Sequence, residues 1–263
     1  DQFCGVAMRG FDWNDVFCLP DAALAGDRRI PKTVLTRQAQ LTKTEQKVLD
    51  RVALLTHFAT VQKSTTRIAP VQDDEHDIQS VLILRCELSR GAAYAEVARL
   101  VHKCFPNPTV ILFGGEDEAC ISLATTRKSL AEQGAMVIDD VESTGAFDPG
   151  DTRYAPFLDA LAFERLPQVN LLVYLRSIAW AVRLSRAVPS LGFFPTCAEQ
   201  DYERLEGLMA RRDVLASQVE DTKRRRRDRE LTLNESARLR MELKKLEREL
   251  GQTTDEIKEI CNG

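Results

Sequence analysis

Residues 78–89 read IQSVLILRCELS, and this stretch decides the fold. Val81, Leu82, Ile83 and Leu84 form an unbroken apolar run, and Cys86 and Leu88 extend it. A short continuous apolar run rich in β-branched residues is the mark of a central strand.

The segments downstream fit around such a strand. AAYAEVARLVHKCFP, residues 92–106, has the apolar spacing of an amphipathic helix, with Ala95, Ala98 or Leu100, Val101 and Phe105 inward. TVILFGGEDEACISLAT, residues 109–125, reads as two strands around a Gly114–Gly115 turn. AMVIDDVES, residues 135–143, is one further strand. Upstream, QDDEHD at 72–77 reads as an acidic loop. LTKTEQKVLDRVALLTHFATV at 41–61 opens with Thr42 and, three residues later, Glu45, a capping-box pattern. Val48, Val52, Leu55 and Phe58 follow at helical spacing, so the whole segment is expected to be one helix. RRIPKTVLTR at 28–37 is expected to be extended, because Pro31 disfavours helix at the residue before it. GFDWNDVFCLP at 10–20 is expected to be a small strand or a loop that packs Trp13.

Residues 1–148 therefore read as a compact α+β domain with a mostly antiparallel sheet. A helical segment is expected at 149–196, carried by PFLDALAFERLP and QVNLLVYLRSIAWAVRLSRAV. From 197 to 263 the pattern changes. Leu239, Leu243, Leu246, Leu250, Thr253, Ile257 and Ile260 step by four and three, a coiled-coil seam. Leu205, Leu208, Arg212, Leu215, Val219 and Thr222 form a weaker one. The two seams do not join through the residues between them. A break near LTLNES is expected, with Thr232 or Asn234 capping a new helix. An antiparallel hairpin, two coiled-coil segments in sequence, and one long helix all remain open. Leu239, Leu243, Leu246, Leu250, Ile257 and Ile260 are the expected partner or homo-oligomer interface.

Composition narrows the function classes. The 263 residues are 44% hydrophobic and 29% charged, with a net charge of −4, so any attraction for phosphate must be local. One local feature fits. KRRRRDRE at 223–230 places Lys223, Arg224, Arg225, Arg226, Arg227 and Arg229 in seven positions. On a helix such a run surrounds the axis, and Glu220, Asp221, Asp228 and Glu230 can pair only some of it. It reads as a solvated helix end, a phosphate-binding patch or a dock for an acidic protein. Arginine favours phosphate, because its planar fork matches phosphate geometry. The stretch 199–263 as a whole is balanced, with 15 Lys and Arg against 16 Asp and Glu.

No catalytic motif stands out. There is no GxSxG, GxxxxGK[ST] or GxGxxG. DDVES and GGEDEAC are acid clusters of the kind that hold magnesium, and turn or surface acids explain them as well. The only ExK before the tail is Glu45–Gln46–Lys47, which falls on the expected helix rather than on a nuclease strand. Arg127 and Lys128 are expected to be solvated. The seven cysteines form no CxxC, and His57, His76 and His102 are scattered, so no metal or cofactor is expected and the thiols are expected to be reduced. No stretch approaches the roughly 18 apolar residues of a membrane span. No secretory leader is visible, and a cytoplasmic protein is expected.

The order of RIPKTVLTR, LTKTEQKVLDRVALLTHF, IQSVLILRCEL, ISLATTRKS and RRRRDRELTLNESARLRMELKKLEREL resembles the bacterial domain-of-unknown-function family 4391. Its members similarly place a basic stretch and a hydrophobic–polar–Asn segment, here Leu231, Leu233 and Asn234, before a leucine-rich helix. Where the family usually has a Lys–Arg pair after ISLA, this chain has Thr125, Thr126, Arg127 and Lys128. The resemblance implies a non-catalytic accessory subunit of a restriction-like or antiviral complex. Its implied partners are a helicase or a DNA methyltransferase; contact with DNA through the basic run is the expectation from the residues themselves. A divergent metal-dependent nuclease, using acids such as Asp139 and Asp140, and a homodimerising scaffold are the alternatives.

Overall fold

The computed structural model describes residues 11–105, 107–114, 117–129, 135–226 and 232–262. It divides into two compact units, one ending at Arg186 and one starting at Ala187. The helical segment expected at 149–196 is split between them.

The first unit is built on one six-stranded sheet. Its elements are α1 (Trp13–Phe17), β1 (Leu24–Arg29), α2 (Lys32–Gln38), α3 (Lys43–Asp50), β2 (Val52–Gln62), α4 (Lys63–Thr66), β3 (Val71–Gln72) and β4 (Asp77–Ile78). There follow β5 (Ser80–Leu88), α5 (Tyr94–Cys104), β6 (Thr109–Gly114), β7 (Ala119–Lys128), β8 (Met136–Ser143), α6 (Ala155–Ala160) and α7 (Leu171–Ser185). The strand order is β1-β2-β5-β6-β7-β8. Among the described strand pairs of this sheet only β5–β6 is parallel, and α5 is its crossover. β5 is central, as its apolar run requires.

Both sheet faces are covered. Leu84, Cys86, Ile111, Phe113 and Cys120 share one cluster with Leu35 of α2, Leu49 of α3 and Val97, Leu100 and Val101 of α5. Side chains alternate along a strand, so Ile83, Val110, Leu112, Ile121 and Leu123 point the other way. α7 lies on that second face, against β5, β7 and β8. Arg85 shares it too. Its guanidinium bonds Asp12 at 2.6 Å and Asp27 at 3.2 Å, and lies 4.5 Å from the centre of the Phe58 ring.

Three local expectations are corrected. The segment 41–61 is not one helix. Thr42 and Glu45 do form the capping box, but α3 ends at Asp50 and β2 takes over. β2 carries two irregularities, between Val52 and Leu54 and between His57 and Ala59. Each extra residue shifts the alternation, so Val52, Leu55 and Phe58 are all buried at a spacing that mimics a helix. In 28–37 the extended backbone ends at Pro31, which serves as the N-cap of α2. A proline constrains the residue before it, not those after it. The opening forms the short helix α1, because the Asp12 carboxylate accepts from the Asn14 N–H at 3.1 Å. Trp13 is buried there, as expected. The acidic loop is the tip of the β3–β4 hairpin, where Asp73 accepts from the Glu75 and His76 N–H groups.

The second unit holds α8 (Val188–Leu191), α9 (Tyr202–Arg226) and α10 (Leu233–Asn262). α9 and α10 pack along each other. Asp201 and Arg204 share a cavity with Glu259 and Cys261, so the start of α9 meets the end of α10 and the pair is antiparallel. The break falls where expected. Thr232 caps α10, its Oγ1 accepting from the Glu235 N–H at 3.3 Å while the Glu235 carboxylate accepts from the Thr232 N–H at 2.9 Å. No helix among the described residues is long and apolar enough to cross a membrane.

Candidate nucleic-acid interface

The closed end of the hairpin gathers the charge. Thr222 is buried against α10, which turns the following residues outward at the last turn of α9. Lys223 meets Glu220 at 3.2 Å and Glu247 at 3.9 Å, and Arg224 is held by Asp221. Arg225 and Arg226 are exposed and have no acidic partner among the described residues. Arg227 and Arg229 lie outside the described residues. Cations also favour the negative end of a helix dipole, by about 0.3–1 kcal/mol each at the surface, so part of the run serves α9 itself.

Antiparallel packing adds two residues that the linear reading missed. Arg238 and Arg240 lie in the second turn of α10, close to the same end of the hairpin. Both are exposed and unpaired among the described residues. Only the hairpin topology brings them toward Arg225 and Arg226. At the start of α10 the Glu235 N–H is taken by Thr232 Oγ1, and the Glu235 carboxyl is held below its usual range by its hydrogen bonds from Thr232.

The expected partner seam is used inside the chain. Leu239, Leu243 and Ile257 are buried, and Leu246, Leu250 and Ile260 are half-buried. They face Leu205, Leu215 and Val219 of α9, also buried. Among the described residues, the large apolar side chains exposed on these helices are Val214 and Met241, well separated in sequence.

Of the acids considered for metal binding, Asp139, Asp140, Glu142 and Glu118 are committed to other groups. Asp139 bonds Arg127 at 3.0 Å. Glu142 accepts from Arg183 Nε at 2.6 Å, Asp140 lies 3.3 Å from the same guanidinium, and Arg186 reaches Glu142 at 3.5 Å. Glu118 accepts from the Tyr94 hydroxyl at 2.7 Å, and Glu116 lies outside the described residues. Arg127 is thus half of an ion pair, and Lys128 Nζ donates to the Asp73 carbonyl, so neither is simply solvated. Glu45 and Lys47 lie on α3. The Glu45 carboxyl is drawn down to about 2, first by its bond from Lys103 and then by Thr42. Among the described residues the six cysteines are free thiols, and no group of three His, Cys, Asp or Glu is placed to hold a metal; Cys4 lies outside them.

Residues 17–250 match a family described as a domain of unknown function, DUF4391. The chain belongs to this family. Neither a curated protein nor a solved structure matches it. The match spans both units and includes the basic end of the hairpin.

Proposed function

We propose that this DUF4391 chain is a non-catalytic accessory subunit that holds nucleic-acid backbone at the closed end of its α9–α10 hairpin. One observation carries the reading: Arg225, Arg226, Arg238 and Arg240 are exposed and, among the described residues, without acidic partners at one end of two packed helices. Elsewhere arginines such as Arg85, Arg127 and Arg183 are bound to carboxylates. Contacts of this kind are sequence-independent and salt-sensitive, because each neutralised phosphate releases counterions. Docking to a helicase or DNA methyltransferase of a defence or restriction-like complex belongs to this proposal. The buried seam means that such docking would use another surface than the leucines.

The test is a titration with a fluorescent DNA duplex at two salt concentrations. With about four phosphates neutralised, affinity should fall on the order of 100-fold between 50 and 200 mM salt. Replacing Arg224, Arg225, Arg226 and Arg227 by glutamine should abolish most binding and flatten the salt slope. Equal binding by the variant, or none by the wild type at low salt, would reject the reading.

A further inference from the structure

The positive charge of α10 does not end at the tip of the hairpin. Leu239, Leu243, Leu246 and Leu250 turn toward α9. At about 3.6 residues per turn, the opposite, outward face is made by Ala237, Arg240, Met241, Lys244 and Arg248. All five are exposed. Arg240, Lys244 and Arg248 stand four residues apart, a row of cations about 12 Å long. None of the three has an acidic partner among the described residues.

The acids of this stretch lie off the row. Glu247 reaches back to Lys223 of α9 at 3.9 Å, Glu249 meets Lys245 at 3.8 Å, and Glu235 closes the capping box with Thr232. Glu242 falls beside Leu239 and Leu246, on the flank of the seam. A face selected only for helix stability sets opposite charges four apart. Here like charges stand four apart twice over, which repel and work against the helix. The row is also bounded. Past Arg248 the outward positions are Gln252 and Asp255, and the outward face of α9 carries Glu206, Asp213 and Asp221, all exposed.

We propose that duplex DNA lies along the outward face of α10, its phosphates held from the tip as far as Arg248, rather than touching the tip alone. The inference rests on the reading that the tip holds nucleic-acid backbone, and adds Lys244 and Arg248 to it. One strand of a duplex carries a phosphate per about 3.4 Å of axis, so a row of this length meets phosphates throughout. A single helix is a convex ridge about 10 Å across, which the B-form major groove, about 12 Å wide, admits. The deep, narrow major groove of an RNA duplex does not. Single strands are bound on aromatic side chains that stack with bases. The aromatic residue of α9 and α10 is Tyr202, at the open end of the hairpin.

The test titrates the full chain, over a salt series, with a DNA duplex of about 20 base pairs, the matching single strand and an RNA duplex of the same length. The double variant Lys244→Gln with Arg248→Gln should weaken duplex DNA about tenfold and lower the slope of log affinity against log salt by about two. Arg204→Gln with Lys258→Gln removes as much charge at the open end and should leave affinity within about twofold. Single strand and RNA duplex should bind at least about fivefold more weakly than duplex DNA. If the row variant binds like the wild type while the Arg224 to Arg227 variant does not, this inference falls and the tip reading stands. Equal losses in the row and open-end variants overturn it as well, since net charge alone then explains them. Single strand or RNA bound as tightly as duplex DNA overturns the choice of ligand. If the wild type binds no duplex at low salt, both readings fall together.

Discussion

The two units satisfy their charges and apolar faces in different ways. In the first, β5 is covered on both faces, and its one arginine is tied to Asp12 and Asp27, far away in sequence. Arg183 and Glu142 are likewise distant partners. In the second, one seam is buried, and most ion pairs join residues three or four apart, such as Arg224 with Asp221 and Lys258 with Asp255. A fold made of distant pairs leaves few groups over. A fold made of local ones leaves its surplus at the surface, as at Arg225 and Arg226. Such a surplus is available to a ligand; a satisfied ion pair is not.

The largest expected effects test that difference directly. Ile83 is fully buried in the sheet, and Ile83→Ala should cost about 4 kcal/mol, since neighbours on two layers cannot close the cavity. Leu243 is buried in the single seam, and Leu243→Ala should cost about 2 kcal/mol, because a narrow seam beside solvent relaxes or hydrates. Urea denaturation gives the totals, and hydrogen exchange shows which unit loosens. An equal or larger cost at Leu243 would break the comparison.

The same contrast governs what the sequence reveals. The continuous run at 81–84 identifies β5, because only a strand covered on both faces needs it. The Thr42 and Thr232 caps are legible because a capping box is spelled within four residues. β2 is misread because its bulges are set by pairing with β5, and no local signal announces them. The seam is read correctly as apolar spacing, but the sequence does not say whose helix covers it. The cluster at 223–229 is plain in the sequence, whereas Arg238 and Arg240 join it only through the hairpin.

A smaller effect comes from pH, and it separates the units cleanly. All three histidines precede Arg186. Burial lowers His102 from an ordinary value of 6.5 to about 3. The unfolded chain takes up a proton below about 6.5 and the folded one does not until about 3. The stability this contributes is complete above 6.5 and is lost as pH falls, by up to about 1.4 kcal/mol per pH unit. Between pH 6.5 and 5 that amounts to roughly 2 kcal/mol in the first unit. His102→Gln keeps a group able to bond Ser122 but cannot titrate, and should flatten the profile in this window. Exchange protection in α9 and α10, corrected for intrinsic rates, should not share the His102 dependence.

The smallest effects compare one motif in two settings. Thr42 and Thr232 form equivalent capping boxes, and either Thr→Ala change should cost about 1 kcal/mol. The consequences should differ in extent. α3 has eight residues, too few to remain helical without its cap and its packing on α5. Thr42→Ala should therefore speed exchange along all of α3. α10 has 30 residues, and its seam holds from Leu239 onward. Thr232→Ala should fray only the first turn, which carries no seam residue. It would also loosen the scaffold that sets Arg238 and Arg240 near the arginines of α9. If exchange instead rises along the whole of α10, the cap rather than the seam holds the hairpin together, and the two units are more alike than their contacts suggest.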